Sequence, residues 1–408
     1  MSNAAVKLAT EAGIDFPVYD ADHHYYEPPE AFLKHLPKQF RKDFQYVQVN
    51  GRDKLVINGM LSDYIPNPTF SVVAAPGSHE DWYRGRNPEG LSIREMSGAP
   101  VATRPEFHDG AAHLKMMDDA GIHAAIILPT LASVIEERLE DKPETIQALF
   151  HALNMWVAET YGFGNGRQHP TGAVNLSDVD GACRELDFLI EAGARSVLIR
   201  PAPVAGLRGS RSHGFAEFDP FWKKIEEAGL FVIHHVSDSG YNRIYRWWTA
   251  GGQGEWRPFE KDPFNEILDL MGRPIADSLA ALVCHGVFDR FPGVRVAVIE
   301  NGSAWLVPLV DRMKSTYAKM PKSFQRDPVE TLRDHVFISP FYEDPIDKIG
   351  ELMGFNRVLF GSDWPHPEGL KTPLEYVNDI AGLSYVQKKL IMHDNMKGLL
   401  EGKRDSAS

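Results

Sequence analysis

Short apolar runs rich in β-branched residues recur along the chain, and longer amphipathic segments lie between them. Such short runs predict buried strands, whereas apolar positions three and four apart predict helices. The predicted strands lie at residues 18–24, 123–129, 171–176, 196–200, 231–236, 294–300, 336–340 and 357–360. The predicted helices include residues 144–160, 181–192, 221–228 and 305–317. This alternation predicts an α/β protein built from repeated βα units.

Eight strands with intervening helices predict a (β/α)8 TIM barrel, whose active site would lie at the carboxyl ends of the strands. An open doubly wound sheet is the alternative, but no glycine-rich phosphate loop follows the first strand. We expect one barrel domain over residues 1–408, with a disordered tail at 401–408. The first two strands are separated by far more residues than one βα connection needs, so residues 28–110 are predicted to form an insertion or lid. Within it, Asn50-Gly51 predicts a hairpin turn between 44–49 and 54–57.

Charge and cysteine content narrow the classes of partner. The 56 acidic residues exceed the 43 basic ones, giving a net charge of −13, which disfavours nucleic acid and anionic membranes and favours a small-molecule substrate. The two cysteines, Cys183 and Cys284, support neither a disulfide framework nor a thiolate zinc site. Neither a signal peptide nor an apolar stretch long enough to span a bilayer is evident, so a cytoplasmic location is expected.

The predicted first strand ends in groups that bind metals. Because side chains two apart on a strand share a face, Asp20, Asp22 and His24 would line one side of it. The alternative is an edge strand with a polar tip. Other predicted strand ends carry His234-His235, Glu300, Asp363 and Arg200, and a barrel would bring these ends around one mouth. Jointly they predict a metal site there.

The chain resembles the amidohydrolase superfamily, in particular the branch of aminocarboxymuconate-semialdehyde decarboxylase and related aromatic-acid decarboxylases and hydrolases. The resemblance runs from about residue 20 to about residue 400. Besides the first strand, it is carried by Lys-Met-Met-Asp-Asp-Ala-Gly-Ile at 115–122, Asp-Pro-Phe-Trp at 219–222, Gly-Val-Phe-Asp-Arg-Phe-Pro at 286–292 and Phe-Gly-Ser-Asp-Trp-Pro-His-Pro at 360–367.

This resemblance implies ligands at particular strand ends. The chain departs from the branch twice, because Asp22 stands where a first histidine is expected and Glu300 stands where strand six supplies a histidine. His235, which we prefer over His234, and Asp363 match the pattern. The implied metal ligands are Asp22, His24, Glu27, His235, Glu300 and Asp363.

The carboxylate-rich ligand set favours iron or manganese, with zinc also compatible, and one or two divalent ions. If Glu27 and Glu300 both reach the mouth, they could bridge two ions. Asp363 would also accept a proton, and His366 would orient a ligand or donate to substrate. Lys on strand four, the bridge of many dinuclear relatives, is replaced by Arg200.

The segment after the predicted fifth strand combines cations and aromatic residues and predicts a loop that covers the substrate. Arg243 or Arg246 could hold a substrate carboxylate, and Trp247 could form an apolar wall. An oligomer contact is the alternative, because Arg and aromatic residues are enriched in interfaces. His285 lies in a predicted helix and is interpreted as a packed histidine.

Three functions follow from these observations. The first is hydrolysis or decarboxylation of a small organic acid by a metal-dependent enzyme, which forms a homo-oligomer. The second is a dinuclear Fe/Fe or Fe/Mn monooxygenase acting on a small amino or organic acid, motivated by Asp22 and Glu300; it would need an electron donor and could form a hetero-oligomer with a related subunit. The third is a non-catalytic structural subunit, which the complete set of candidate ligands disfavours.

Overall fold

The computed structural model describes residues 3–62, 64–164, 166–249, 262–270 and 272–402. The strands are β1 Val18–Tyr25, β2 Phe44–Val49, β3 Arg52–Ile57, β4 Met60–Ser62, β5 Val72–Val73, β6 Val101–Ala102, β7 Ile122–Pro129, β8 Gln168–Pro170, β9 Gly172–Ala173, β10 Ser196–Leu198, β11 Phe231–His235, β12 Val296–Ile299 and β13 Val336–Ser339. Most of the predicted tail, residues 403–408, lies outside the described residues.

The helices occupy the segments between these strands. They are α1 Asn3–Glu11, α2 Pro29–Leu33, α3 Glu80–Tyr83, α4 Ile93–Met96, α5 Gly110–Ala120, α6 Pro143–Thr160, α7 Val179–Ala192, α8 Asp219–Ala228, α9 Asn242–Thr249, α10 Pro263–Leu268, α11 Gly272–Cys284, α12 Val287–Arg290, α13 Leu306–Lys319, α14 Pro328–His335, α15 Ile346–Met353, α16 Tyr385–Lys389 and α17 Asn395–Leu400. No helix among the described residues is long and apolar enough to cross a membrane.

Two parallel sheets carry the apolar runs. One has the order β1-β7-β8 and the other the order β13-β12-β11-β10-β9. Every residue of β10, β11, β12 and β13 is buried. Strands of a parallel sheet that is covered on both faces are apolar along their whole length, which explains why continuous runs predicted them. The α/β class is therefore confirmed.

The predicted strand at 357–360 is not a strand in the structure. Residues Phe355–Arg357 form a 3-10 turn, and the three residues after it are extended. The Leu359 amide donates to Ile338 of β13, and the Phe360 carbonyl accepts from Ala21 of β1, both at 2.8 Å. The pairing with β13 is a single bridge between Ile338 and Val358, which is too short to form a ladder. The segment nevertheless joins the edges of the two parallel sheets.

The region between β1 and β7 forms small antiparallel units. The predicted hairpin is confirmed, because β2 pairs with β3 around Asn50-Gly51, and β4 extends it to three strands. Further along, the Gly77 amide donates to the His366 carbonyl at 3.1 Å, and the His79 amide donates to the Pro367 carbonyl at 2.7 Å. This region is therefore anchored on the segment that follows Asp363.

Candidate metal centre

Five of the predicted ligands meet at the carboxyl ends of neighbouring strands. Asp22 and His24 belong to β1, His235 ends β11, Glu300 follows β12, and Asp363 follows the extended segment at 358–360. All five are buried, the most accessible being Asp363 at 8% exposure. Parallel strands bring their carboxyl ends to one edge, so residues far apart in sequence become neighbours.

The ligand atoms form two overlapping groups that share His24 and Glu300. In each group the four atoms lie within 4.8 Å of one another. The first group is Asp22, His24, His235 and Glu300, and the second is His24, Glu300, Asp363 and His366. His24 Nε2 lies at the centre, 3.1 Å from Asp22 Oδ1, 3.5 Å from Asp363 Oδ1 and 3.7 Å from Glu300 Oε2.

The lone pairs of this cluster face one another. The Val236 carbonyl can only accept, so His235 Nδ1, 2.8 Å away, carries the proton of a neutral ring and Nε2 does not. This Nε2 lies 2.7 Å from Glu300 Oε2, yet that oxygen makes no hydrogen bond among the described residues. At this distance a proton or a cation must lie between the unprotonated nitrogen and the oxygen, and the buried set of imidazoles and carboxylates fits a divalent metal.

Burial and the like charges of neighbouring carboxylates shift the pKa values of the cluster in the directions expected of a cation site. Burial raises the pKa of Glu300 to about 8. Burial and the charge of Glu300 raise the pKa values of Asp22 and Asp363 well above their usual range. Burial lowers the pKa of His24 and His235. Neutral imidazoles and crowded carboxylates are the forms that a divalent cation stabilises.

The backbone holds two of the acids in strained conformations. Glu300 and Asp363 both have a φ of 55°, in the left-handed region that residues other than glycine rarely adopt. Such strain persists where the surroundings enforce it, and it concentrates at functional sites. Gly361 is required nearby, because a Cβ there would lie 2.8 Å from Asp22 Cβ and 2.4 Å from Ser339 Oγ.

The two adjacent histidines of β11 point to opposite sides of the sheet. His235 enters the cluster, whereas His234 Nδ1 lies 3.2 Å from the Ile199 carbonyl and its Nε2 lies 3.4 Å from Ser278 Oγ. Asp20 faces the backbone instead, since its Oδ1 accepts from the amides of Asp22 and Ser362, both at 3.0 Å. It thereby joins β1 to the segment that leads to Asp363.

Asp363 and His366 share a proton. Thr130 Oγ1 donates to the Tyr25 carbonyl at 2.9 Å, so His366 Nε2, also 2.9 Å from that hydroxyl, must donate to it. Burial lowers the pKa of His366 to about 3. Asp363 Oδ1 lies 2.7 Å from Nδ1, so the carboxyl group and the ring hold one proton between them.

Glu27 lies outside both groups of candidate ligands. Its carboxylate accepts from the amides of Thr130 at 3.2 Å and of Leu131 and Ala132 at 2.9 Å. Burial raises the pKa of Glu27 to about 7, although these bonds oppose the shift. The three amides come from the turn after β7, where backbone donors need acceptors.

The predicted substrate-binding residues lie on α9. Arg243 pairs with Glu137 at 2.5 Å and Glu140 at 2.9 Å. Arg246 lines a recess next to Arg243, and Trp247 is 75% exposed. None of the three is among the residues that form the two ligand groups. His285 contacts Ser212 Oγ at 2.8 Å and the ring of Phe215, in agreement with a packing role.

Sequence reasoning missed several residues around the cluster. Thr130 contacts both Glu27 and His366, and the Glu368 carboxylate raises the pKa values of Asp22 and Asp363. Burial raises the pKa of Tyr64, which follows β4, and the charges of Asp238 and Glu300 raise it further. Threonine and tyrosine carry no metal-binding signature, and only Glu368, two residues after His366, stood next to a recognised motif.

Comparison with known proteins supports the resemblance. The amidohydrolase family model matches residues 19–399. An amidohydrolase of Mycobacterium avium subsp. paratuberculosis K-10 is 38% identical, with a TM-score of 0.88 over 95% of this chain and 98% of its own. The 2-amino-3-carboxymuconate-6-semialdehyde decarboxylase of Dictyostelium discoideum is 22% identical over 62% of this chain and 67% of its own length.

A dihydroxybenzoic acid decarboxylase from Polaromonas sp. JS666, solved with bound manganese and the inhibitor 2-nitroresorcinol, has the same fold. Its TM-score is 0.56 at 16% identity, covering 94% of this chain and 97% of its own. The family model spans nearly the whole chain, and the mycobacterial relative matches it over almost its full length. The chain therefore belongs to the amidohydrolase family.

Proposed function

We propose that this protein is a metal-dependent enzyme that decarboxylates a small organic acid at the strand-end cluster. The observation that carries the proposal is the buried group of Asp22, His24, His235 and Glu300, whose ligand atoms all lie within 4.8 Å of one another. Decarboxylation is favoured over hydrolysis because two of the relatives named above are decarboxylases. The closed (β/α)8 barrel predicted from the sequence is part of the proposal.

The ligands of the metal are proposed to be Asp22, His24, His235, Glu300 and Asp363. A divalent ion held there would supply the positive charge that polarises a substrate carboxylate or carbonyl. Manganese is a candidate because the Polaromonas relative contains it and because carboxylate ligands suit manganese and iron. Glu27 is left out of this set, since its carboxylate is engaged by three backbone amides.

Proton transfer is assigned to Asp363 and His366. When a carboxylate leaves as CO2, the C–C bond breaks and the carbon retains the electron pair, so an acid must protonate it. The proton between Asp363 Oδ1 and His366 Nδ1 is buried next to the proposed ligands. Thr130 fixes the far side of the His366 ring and so keeps Nδ1 directed at Asp363. In a hydrolysis the same pair would instead accept a proton from water.

The test is turnover of carboxylic acids by protein loaded with manganese or iron. Dihydroxybenzoate and 2-amino-3-carboxymuconate-6-semialdehyde are the first probes, with CO2 release as the readout. In deuterated water the product should gain one deuterium at the carbon that lost CO2. Asp363→Asn should abolish release while the circular dichroism spectrum stays unchanged. Failure of every acid in the panel, with hydrolysis of an ester or amide instead, would reassign the reaction to a hydrolase.

The oxygenase predicted as an alternative is not proposed, because the named relatives are decarboxylases and an amidohydrolase. The predicted homo-oligomer remains a prediction. The carboxylate-rich ligand set is compatible with one or two ions. Elemental analysis of protein loaded with manganese or iron determines the number directly.

A further inference from the structure

A second polar recess lies near the metal centre and shares none of its ligands. It has a volume of about 390 Å³ and opens between α9, the turn after β7 and the β3–β4 hairpin. Its size is that of a small-molecule pocket, and it is an order of magnitude larger than the ~30 Å³ that one water occupies. The segment after His235 contributes Asp238 to its lining.

One wall of the recess is already neutralised by ion pairs. Arg200 pairs with Glu137 at 2.8 Å, and Arg243 pairs with both Glu137 and Glu140. Arg200 Nη1 also donates to the Asp238 carbonyl at 3.3 Å, which fixes the loop after β11 against this wall. These groups hold the shape of the recess but have their partners within the protein.

Asp238 lacks a partner for one of its oxygens. The residue is only 4% exposed; its Oδ1 accepts from the Gly240 amide at 3.1 Å and from Asn242 Nδ2 at 3.5 Å, whereas Oδ2 makes no hydrogen bond among the described residues. A buried carboxylate oxygen without a donor is costly, so a donor from a ligand would relieve it. The Asp238 carboxylate, which belongs to the lining, is the anionic pole of the recess.

Arg138 and Arg246 provide the cationic pole. Both line the recess, and no carboxylate of the described residues lies at ion-pair distance from either guanidinium. Asp238 lines the same recess, and while burial raises its pKa, the charges of Arg200, Arg138 and Arg246 lower it. Two guanidinium groups together are suited to a carboxylate.

We propose that this recess binds a small zwitterion of the α-amino acid class, with its ammonium group at the Asp238 carboxylate and its carboxylate between Arg138 and Arg246. A simple cation would be repelled by the two arginines, and a dianion would be repelled by Asp238 and Glu140. A ligand with both charges satisfies both poles. The proposal concerns the recess alone and does not depend on the reaction at the metal centre.

The test is titration of the full-length protein with a panel of α-amino acids, followed by calorimetry and by the fluorescence of Trp247 and Trp248. These tryptophans lie on the same helix as Arg246 and are 75% and 74% exposed. A saturable signal is expected from at least one amino acid. Its N-acetyl derivative, which lacks the ammonium group, and its amide, which lacks the carboxylate, should each bind at least about tenfold more weakly.

Substitutions connect the signal to the recess. Asp238→Asn and Arg246→Gln should each weaken binding about tenfold or more, while the control Arg94→Gln, on the exposed helix α4, should leave it unchanged. Asp238→Asn should not weaken binding of the N-acetyl derivative further. Thermal unfolding checks that each variant is folded.

Two outcomes would overturn the proposal. One is that no amino acid gives saturable binding. The other is that binding survives Asp238→Asn and is lost in Glu300→Gln, which would assign the ligand to the metal centre. Retention of binding in Glu300→Gln, together with loss in Asp238→Asn, would support the recess even if the proposed decarboxylation fails.

Discussion

Two buried glutamates that follow parallel strands, Glu27 after β1 and Glu300 after β12, have opposite surroundings. Three backbone amides occupy the carboxylate of Glu27. Glu300 Oε2 has no hydrogen bond and faces an unprotonated nitrogen of His235. Both side chains are acidic and buried, so residue type and depth do not separate them. What separates them is whether the protein has already supplied the donors.

The largest effect is expected from removing the charge of Glu300. Glu300→Gln leaves the side-chain shape intact but replaces an anionic oxygen of the cluster with a neutral amide. Metal content should fall toward zero, and turnover should fall by more than about 100-fold, because removing a ligand does more than disturbing its support. Elemental analysis and CO2 release measure the two effects. Wild-type stoichiometry in a folded Glu300→Gln protein would contradict the assignment.

Thr130 links the two regions and gives the next largest effect. Its amide donates to Glu27, while its hydroxyl contacts His366 Nε2. Thr130→Val keeps the amide and the shape but removes the hydroxyl, so the His366 ring loses its support. Turnover should fall about 10- to 100-fold with metal content unchanged.

Thr130→Ser is the matched control, because it restores the hydroxyl and should recover most of the activity. An equal loss in Thr130→Val and Thr130→Ser would show that the methyl group matters instead. Loss of metal in Thr130→Val would also contradict a role limited to orienting His366.

Sequence alternation could assign residues within a strand but could not separate Glu27 from Glu300. On a strand, alternation assigns Asp22 and His24 to one face, and the structure brings both into the cluster. Glu27 and Glu300 lie beyond Tyr25 and Ile299, the last residues of β1 and β12, so alternation determines the direction of neither side chain. The backbone donors of Glu27 come from the turn after β7, about 100 residues away, and no local pattern reveals them.

The predictions of the fold also succeeded where local sequence determines the structure and failed where distant contacts determine it. Buried parallel strands such as β7 and β11 were predicted within a residue or two, because continuous apolar runs reflect burial on both faces. The segment at 358–360 was predicted as a strand, since its composition is that of one, but its pairing with β13 is a single bridge. The recess around Asp238 had no sequence signature, because it depends on ion pairs between three segments that are far apart in sequence.

Glu27 itself should affect stability and leave the metal in place. Glu27→Gln turns one acceptor into a donor that faces a backbone amide, leaving that buried amide without a partner. The free energy of unfolding should fall by about 1–3 kcal/mol. Denaturant unfolding measures the change, and elemental analysis should show wild-type metal content. A loss of metal comparable to that in Glu300→Gln would return Glu27 to the ligand set and remove the contrast between the two regions.

The smallest expected effect concerns how the stability of the fold depends on acid pH. It is tested at His213, a residue outside both glutamate sites. Burial, with the nearby charges of His234 and His285, lowers the pKa of His213 from 6.5 to about 3. Between these values the unfolded chain binds a proton that the folded chain excludes, so stability is full above pH 6.5 and falls as the pH is lowered. His213→Gln should therefore reduce the slope of unfolding free energy between about pH 6 and 4 by up to ~1.4 kcal/mol per pH unit.

The control for this prediction is His151→Gln. The hydrogen bond that His151 Nδ1 donates to the Glu185 carboxylate raises the pKa of His151, so its stabilisation is complete at low pH and is lost only as the pH rises through its folded pKa. Removing it should leave the slope between about pH 6 and 4 unchanged. If His213→Gln also left that slope unchanged, the acid sensitivity of the fold would have to come from other buried groups, with the crowded carboxylates and imidazoles of the metal centre as the next to test.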